Sequence, residues 1–145
     1  MTERRCVLAI DHGTSGIKAA IVSVSGEIID FEYEKTAIHF LPNGGAEQDP
    51  EDWWQALLKA AGRLVAKGQI KAADIAALCV SSTFSTTVVV DKSGRHLMNA
   101  VTWMDSRGAP YVKRLIGGFP SIEGYNLFKL RKWIPVTGGG PTLSG

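Results

Sequence analysis

The chain has 145 residues, close to the length of one ordinary domain, and 45% of them are apolar while 21% are charged. This composition is globular and excludes disordered and fibrous proteins. Sixteen basic and fourteen acidic side chains leave a formal charge of +2, which does not favour a nucleic-acid or membrane-surface partner. Apolar runs stay far below the roughly 20 residues of a membrane span, and no secretory signal is visible, so we expect a soluble cytoplasmic protein.

The two cysteines and three histidines do not form a metal-ligand pattern. Cys6 and Cys79 lie in apolar stretches, and we expect both to be buried free thiols, as is usual inside cells. The histidines, His12, His39 and His96, are scattered and match no zinc motif.

The N-terminal third predicts an antiparallel meander of three strands. Residues 6–11 form a continuous apolar run, which is typical of a strand buried on both faces, and a polar turn with two glycines follows over residues 11–16. Residues 17–24 and 27–34 predict two further strands, and Ser25-Gly26 predicts the tight reversal between them.

A helix is predicted after an irregular loop over residues 36–48. Asp49 can cap this helix, Pro50 fits its first turn, and Gly68 ends it. Its predicted apolar face consists of Trp53, Trp54, Leu57, Leu58, Ala61, Leu64 and Val65.

The remaining chain predicts more strands and then a mixed region. Residues 75–80 predict a buried strand, residues 86–90 another, and residues 91–94 a turn. Beyond Asp105, glycines and prolines interrupt every pattern, and residues 137–145 are rich in glycine. Either this tail is disordered or the chain is the front part of a longer protein. A meander, a helix and further strands together predict an α/β domain with a mixed sheet.

The first hairpin carries the residues that best suit phosphate chemistry. Gly13 and Gly16 allow a tight turn whose amides can approach an anion, and Thr14 and Ser15 add hydroxyl donors. Lys18 adds a positive charge, and the Asp11 carboxylate could hold a divalent cation. The alternative is an ordinary hairpin with an incidental lysine, and the residues alone do not decide between them. The motif is neither a Walker loop nor a dinucleotide fingerprint, since it leads into a strand.

This hairpin resembles the first phosphate motif of the sugar kinase, actin and Hsp70 superfamily. Four further stretches are similar to the N-terminal part of the FGGY carbohydrate kinases: residues 47–54, 80–91, 99–107 and 139–145. The most similar members of that family are xylulose kinase-like. The resemblance implies a ribonuclease H-like, actin-like ATPase fold. It also implies ATP-dependent phosphorylation of a sugar or polyol, with Mg²⁺ as the metal.

The resemblance assigns roles to individual positions. Asp11 matches the aspartate near the catalytic magnesium, and Lys18 matches a basic residue that reaches the nucleotide phosphates. The phosphate loop would comprise Gly13, Thr14 and Ser15. Substrate-facing positions would be Phe84, Ser85, Trp103, Asp105 and Thr142. Each has a structural alternative: Trp103 could be core, and Asp105 could cap the following helix or pair with Arg107.

Two departures from the family pattern concern the substrate. Glycerol kinases carry Arg-Glu where this chain has Phe84-Ser85, and the best-known xylulose kinases carry histidine at the position of Ser85. We therefore expect a pentulose such as xylulose, or a polyol, with the exact sugar left open.

The resemblance also implies that this chain is shorter than members of the family. Residues 1–145 would be the N-terminal part of the first kinase domain, whereas the second domain, the adenosine pocket and the general base lie beyond residue 145. We therefore expect no turnover from this chain alone. Apolar surface normally covered by later segments would be exposed, so self-association or a homodimer is expected. The alternative functions are a noncatalytic ligand-binding or assembly module and another ATPase of the same superfamily.

Overall fold

The computed structural model describes residues 5–140 and Thr142, which divide into two compact units. The first unit contains the chain up to His39 together with Glu47–Thr102, and the second contains Phe40–Ala46 and the chain from Trp103 onward. The described strands are β1 (Cys6–Gly13), β2 (Gly16–Ser23), β3 (Ile28–Lys35), β4 (His39–Phe40), β5 (Ala46–Gln48), β6 (Ile75–Ser81), β7 (Ala100–Val101), β8 (Ser121–Ile122) and β9 (Tyr125–Asn126). The helices are α1 (Pro50–Ala66), α2 (Ala109–Ile116) and α3 (Leu127–Thr137), and a 3-10 helix spans Ala72–Asp74.

The first unit is built on a mixed sheet with the strand order β3-β2-β1-β6. The first three strands are antiparallel neighbours, and β6 returns parallel to β1. The predicted meander, helix and later strand are therefore confirmed. The predicted tight reversal between β2 and β3 occupies residues 24–27, where Gly26 has a φ of 88° and its N–H donates to the Ser23 carbonyl oxygen.

The first hairpin is tighter than its sequence predicts. Asp11, His12 and Gly13 continue β1 as strand residues, because they pair with Lys18, Ile17 and Gly16 of β2. Thr14 and Ser15 are the two residues left for the turn. Ladder pairing to the neighbouring strand therefore extends the strand through polar residues that the local pattern assigns to a loop.

Helix α1 covers one face of this sheet. The Asp49 side chain caps it by accepting from the Glu51 N–H at 2.8 Å, and Gly68 follows its end with a φ of 69°. The core between helix and sheet contains Cys6, Ile10, Ile17, Ala19, Ile21, Ala56, Ala60, Leu64 and Ile70. The predicted apolar stripe is wider than the buried one, since Trp54, Leu58 and Val65 are exposed.

Strand β6 is exposed, although its apolar sequence predicts a buried strand. Leu78 is 60% accessible and Val80 52%, and β1 is its neighbour in the described sheet. Cys79 is likewise exposed, contrary to the prediction, whereas Cys6 is buried; both thiols are free. An apolar run indicates that a strand can be buried, but residues elsewhere in the chain determine whether other elements cover it.

One predicted strand is irregular in the structure, and one predicted loop contains two short strands. Residues 86–90 do not form the predicted strand, and they contribute isolated bridges from Thr87 to Val101 and from Val90 to His96. The predicted irregular loop over 36–48 contains the short strands β4 and β5, and β5 pairs with β7. The β5–β7 ladder depends on a partner about 50 residues away, so local pattern does not reveal it.

The second unit holds α2, α3 and the β8-β9 hairpin. Helix α3 is capped by Asn126, whose side chain accepts from the Lys129 N–H, and it contains Pro135. Helix α2 has a proline in its first turn. The sequence allows a helix after Asp105 only as a structural alternative for that residue, and it does not predict α3, because prolines and the Gly117-Gly118 pair interrupt the apolar period. Among the described helices, none is both long and apolar enough to cross a bilayer.

Candidate functional site

Asp11 and Lys18 form an ion pair at the turn end of the first hairpin. They are cross-strand partners, and Lys18 Nζ donates to Asp11 Oδ2 at 2.8 Å. The hydrogen bond from Lys18 to the Asp11 carboxylate raises the pKa of the lysine. Both side chains are about half accessible, at 58% and 51%, so the pair can exchange its contact for one with a bound ion.

The turn beyond this pair requires glycine at one end. Gly16 has a φ of 156°, and a Cβ there would overlap the Glu34 carbonyl oxygen and approach the Tyr33 ring within 2.8 Å. A Cβ at Gly13 would be only 3.3 Å from the Gly16 carbonyl oxygen. The turn thus packs closely against β3 and presents backbone without a covering side chain at either end.

The carbonyl groups of the turn are bonded from outside the hairpin. The Tyr33 hydroxyl donates to the Ser15 carbonyl oxygen at 2.7 Å, and the Thr36 N–H donates to the same oxygen at 3.3 Å. Gln48 Nε2 donates to the Thr14 carbonyl oxygen at 3.0 Å. Sequence reasoning does not assign a role to Tyr33, Thr36 or Gln48, because they meet the turn only through the tertiary fold.

The turn also contacts the segment that contains two predicted substrate residues. The Thr14 and Thr83 hydroxyl groups lie 3.1 Å apart. Phe84 follows directly and is 83% exposed, and Ser85 adopts a left-handed φ of 46° that is uncommon for a residue other than glycine. The structure therefore brings the predicted phosphate loop beside the Phe84-Ser85 segment within the first unit.

His12 lies in the half-buried layer between the turn and α1. Burial lowers the pKa of its imidazole, and the nearby Asp11 charge opposes that shift. Its ring makes an edge-on contact with the Trp53 ring, with centroids 4.5 Å apart. His12 Nε2 and Trp53 Nε1 are buried and have no hydrogen-bond partner among the described residues. The contact indicates a packing role for this histidine.

The other predicted substrate residues belong to the second unit. Trp103 is 54% exposed, and Thr142 is exposed. Asp105 is 8% accessible, and its carboxylate accepts from the Arg107 guanidinium at 2.6–3.1 Å and from the Ala46 N–H at 3.0 Å. The hydrogen bonds from Arg107 lower the pKa of Asp105 to about 2. Of its structural alternatives, pairing with Arg107 is the one observed, since α2 begins at Ala109 with Gly108 as its N-cap.

The donor set around the hairpin fits a magnesium-phosphate group. Magnesium is usually held by one or two carboxylates and by substrate phosphates, and Asp11 supplies one accessible carboxylate. Lys18, the turn amides and the hydroxyls of Thr14 and Ser15 suit an anion. Within residues 5–140 and Thr142, His, Cys, Asp and Glu side chains do not form a metal-binding group of three or more. The hairpin supplies one carboxylate, so it suits a metal ion whose other ligands include phosphate oxygens of a bound nucleotide.

Comparison with known proteins identifies relatives along most of the chain. Residues 6–131 match the model of the FGGY family of carbohydrate kinases, N-terminal domain. The glycerol kinase of Beutenbergia cavernae is 32% identical over 131 residues, which are 90% of this chain and 25% of that protein. The xylulose kinase structure from Bifidobacterium adolescentis superposes with a TM-score of 0.75 at 25% identity, over 97% of this chain and 27% of that one.

A more distant structure shares the same fold. The glycerol kinase of Plasmodium falciparum, solved with ADP, gives a TM-score of 0.58 at 18% identity, over 92% of this chain and 29% of that one. The chain spans 22% to 25% of the length of the curated relatives that it matches. The predicted actin-like ATPase fold is confirmed by these matches. With the family model matched over most of its residues, this chain belongs to the FGGY family of carbohydrate kinases.

Proposed function

We propose that this chain supplies the phosphate loop and part of the sugar site of an ATP-dependent kinase acting on a pentulose, such as xylulose, or on a polyol. The observation that carries the proposal is the Asp11–Lys18 pair beside the Gly13–Gly16 turn, since it places an oxygen ligand for a cation next to donors for phosphate. The ADP in a related glycerol kinase structure supports ATP as the phosphoryl donor. We also propose a cytoplasmic location, as is usual for enzymes of sugar metabolism.

In the proposed reaction, a hydroxyl oxygen of the sugar forms a bond to the γ-phosphorus of ATP. The bond between that phosphorus and the β–γ bridging oxygen breaks, and ADP leaves with its electron pair. The hydroxyl proton passes to a general base, which we expect beyond residue 145. Bound Mg²⁺ would neutralise phosphate charge.

The residues of this chain bind and orient the reactants. Asp11 would hold the metal, and Lys18 would turn from Asp11 toward phosphate oxygens. The turn amides, with the hydroxyls of Thr14 and Ser15, would donate to the phosphates. The turn amides, Lys18 and the hydroxyls would stabilise the negative charge that develops on the phosphate oxygens in the transition state.

The proposed sugar contacts come from exposed side chains. The exposed indole of Trp103 offers an apolar face to C–H groups, and Phe84, Ser85 and Thr142 would contact other parts of the substrate. Because the Asp105 oxygens already accept from Arg107 and Ala46, we propose that Asp105 supports the sugar site together with Arg107. Phe84-Ser85 in place of Arg-Glu supports a substrate other than glycerol.

An ADP-release assay tests this proposal. The chain is supplied with MgATP and, singly, with xylulose, ribulose, glycerol, ribitol and arabinitol, and the complete coding frame that contains the chain is assayed with the same panel. We expect no sugar-dependent turnover from the 145 residues alone and turnover with a pentulose or polyol from the complete frame. Asp11→Ala should lower that turnover by about 100-fold or more, since it removes the proposed carboxylate ligand of the cation that neutralises the phosphate charge.

Asp52→Ala on the outer side of α1 is the matched control and should leave turnover unchanged. Full activity of the Asp11→Ala variant would contradict the assigned role. If the complete frame binds MgATP without turning over any sugar, the noncatalytic module becomes the better description.

A further inference from the structure

Gln48 is a buried polar side chain for which the proposed function has no role. It is 1% exposed, yet the apolar core lies elsewhere, and its amide nitrogen is directed at backbone. Nε2 donates to the carbonyl oxygens of Thr14 and Ala37, each at 3.0 Å, and lies 3.2 Å from Thr36 Oγ1. A buried amide of this kind contributes through its hydrogen bonds, because its desolvation otherwise costs free energy.

Tyr33 makes the matching contact on the next peptide of the turn. Its hydroxyl donates to the Ser15 carbonyl oxygen at 2.7 Å, and its ring covers Gly16. The residue is 40% exposed, so the phenol contributes little to the core. Two side chains, one from β3 and one from β5, thus hold two successive carbonyl groups of the phosphate turn.

Holding a carbonyl also determines the direction of the next amide. A trans peptide is planar, and its C=O and N–H bonds point in opposite directions. The bond from Gln48 to the Thr14 carbonyl therefore directs the Ser15 N–H away from Gln48. The bond from Tyr33 to the Ser15 carbonyl directs the Gly16 N–H in the same way.

We propose that Gln48 and Tyr33 are positioning residues that hold the turn in the conformation that binds nucleotide phosphates. The inference rests on the proposed function, because it requires the turn to bind those phosphates. Without these bonds, the two carbonyl groups keep their longer contacts with Thr36, at 3.4 Å to the Thr14 oxygen and 3.3 Å to the Ser15 oxygen. The peptides of a turn next to glycines then rotate more easily, and each rotation withdraws an amide donor. Loss of either side chain then weakens nucleotide binding and leaves the sugar site as it is.

Two variants and one matched control test the inference. Tyr33→Phe removes one hydroxyl from a half-exposed ring, and Gln48→Met keeps length and bulk while removing the donors. Tyr111→Phe removes a hydroxyl from a tyrosine that is 65% exposed in the second unit. The first readout is amide hydrogen exchange of the peptide that contains residues 13–16, in this chain without nucleotide. The second readout is the KM for ATP and for the sugar, measured on the shortest protein expressed from the coding frame that phosphorylates a sugar.

We expect Tyr33→Phe and Gln48→Met to speed exchange at the turn and to raise the KM for ATP about 3- to 10-fold, the range for one lost hydrogen bond, with the KM for the sugar unchanged. Tyr111→Phe should alter neither quantity. If Gln48→Met fails to fold, Tyr33→Phe decides the question. Faster exchange with an unchanged KM for ATP would overturn the inference, since the bonds would then be structural only.

The outcome also separates the inference from the proposed function. If the wild-type protein encoded by the complete frame turns over no sugar, the proposed function is rejected, and this inference is rejected with it. A wild-type frame that turns over, with an unchanged KM for ATP in Tyr33→Phe, would remove the inference alone.

Discussion

The Asp105 carboxylate is held in its charged form by hydrogen bonds from Arg107, which lower its pKa to about 2 from an unfolded value of 3.8. Between these values the unfolded chain binds more protons than the folded chain, so stability falls as protons are added. The contribution of the pair is therefore complete above about pH 4 and is lost as pH falls toward 2. Urea unfolding of the wild type at several pH values between 5 and 2 should show this loss.

The same titration of Asp105→Asn should be flatter, because that variant carries no titratable group at the pair. Asp52→Asn, changed at an exposed position, serves as the control and should follow the wild type. Superimposable profiles for wild type and Asp105→Asn would contradict this account of the pair.

The N-terminus of helix α1 depends on the Asp49 side chain. Its carboxylate accepts from the Glu51 N–H at 2.8 Å, and the first turn also carries Glu51 and Asp52. Asp49→Ala should lower the free energy of unfolding by about 1 kcal/mol, as is typical of a lost cap, while Asp49→Asn should retain most of it. Denaturant titration measures both. Equal losses for the two variants would indicate that charge, and not capping, stabilises this end of the helix.

The face of the main sheet opposite α1 is an exposed apolar surface of the first unit. One row across the paired strands consists of Ala9, Ala20, Phe31 and Cys79, which line a cavity of about 490 Å³. The Phe31 side chain is 66% exposed. Apolar surface of this kind favours association between copies. Sedimentation velocity should therefore show concentration-dependent self-association of this chain.

Phe31→Lys should shift the chain toward monomer, because it replaces the exposed apolar ring at the β3 end of the row with a charge. Tyr111→Lys, changed at a position of similar exposure in the second unit, should not. A monodisperse wild-type monomer at high concentration would contradict the prediction.

Local signals were sufficient for much of this molecule. Strand periodicity, the Ser25-Gly26 reversal and the Asp49-Pro50 start act over a few residues, so the meander and α1 follow from the sequence. Asp11 and Lys18 are also predictable together, because a tight hairpin places them on opposite strands.

Other features depend on residues that are distant in sequence. Gln48 meets Thr14 across 34 positions, and no local pattern reports such a contact. The exposure of β6 depends on which elements cover it. The proline of α2 lies in its first turn, where it fits a helix, so this proline does not mark a break.

The crowding at Gly16 limits how this hairpin can diverge among descendants of the same ancestral sequence. A smaller residue at position 33 would remove the ring from the path of a side chain at position 16, but the Glu34 carbonyl oxygen would still block it. A substitution changes a side chain and leaves the carbonyl oxygen of residue 34 in place, so no single compensating substitution allows a side chain at position 16. Position 33 is therefore constrained through the hydrogen bond of its hydroxyl to the turn, whereas position 16 can leave glycine only if the pairing of β2 with β3 is itself rebuilt.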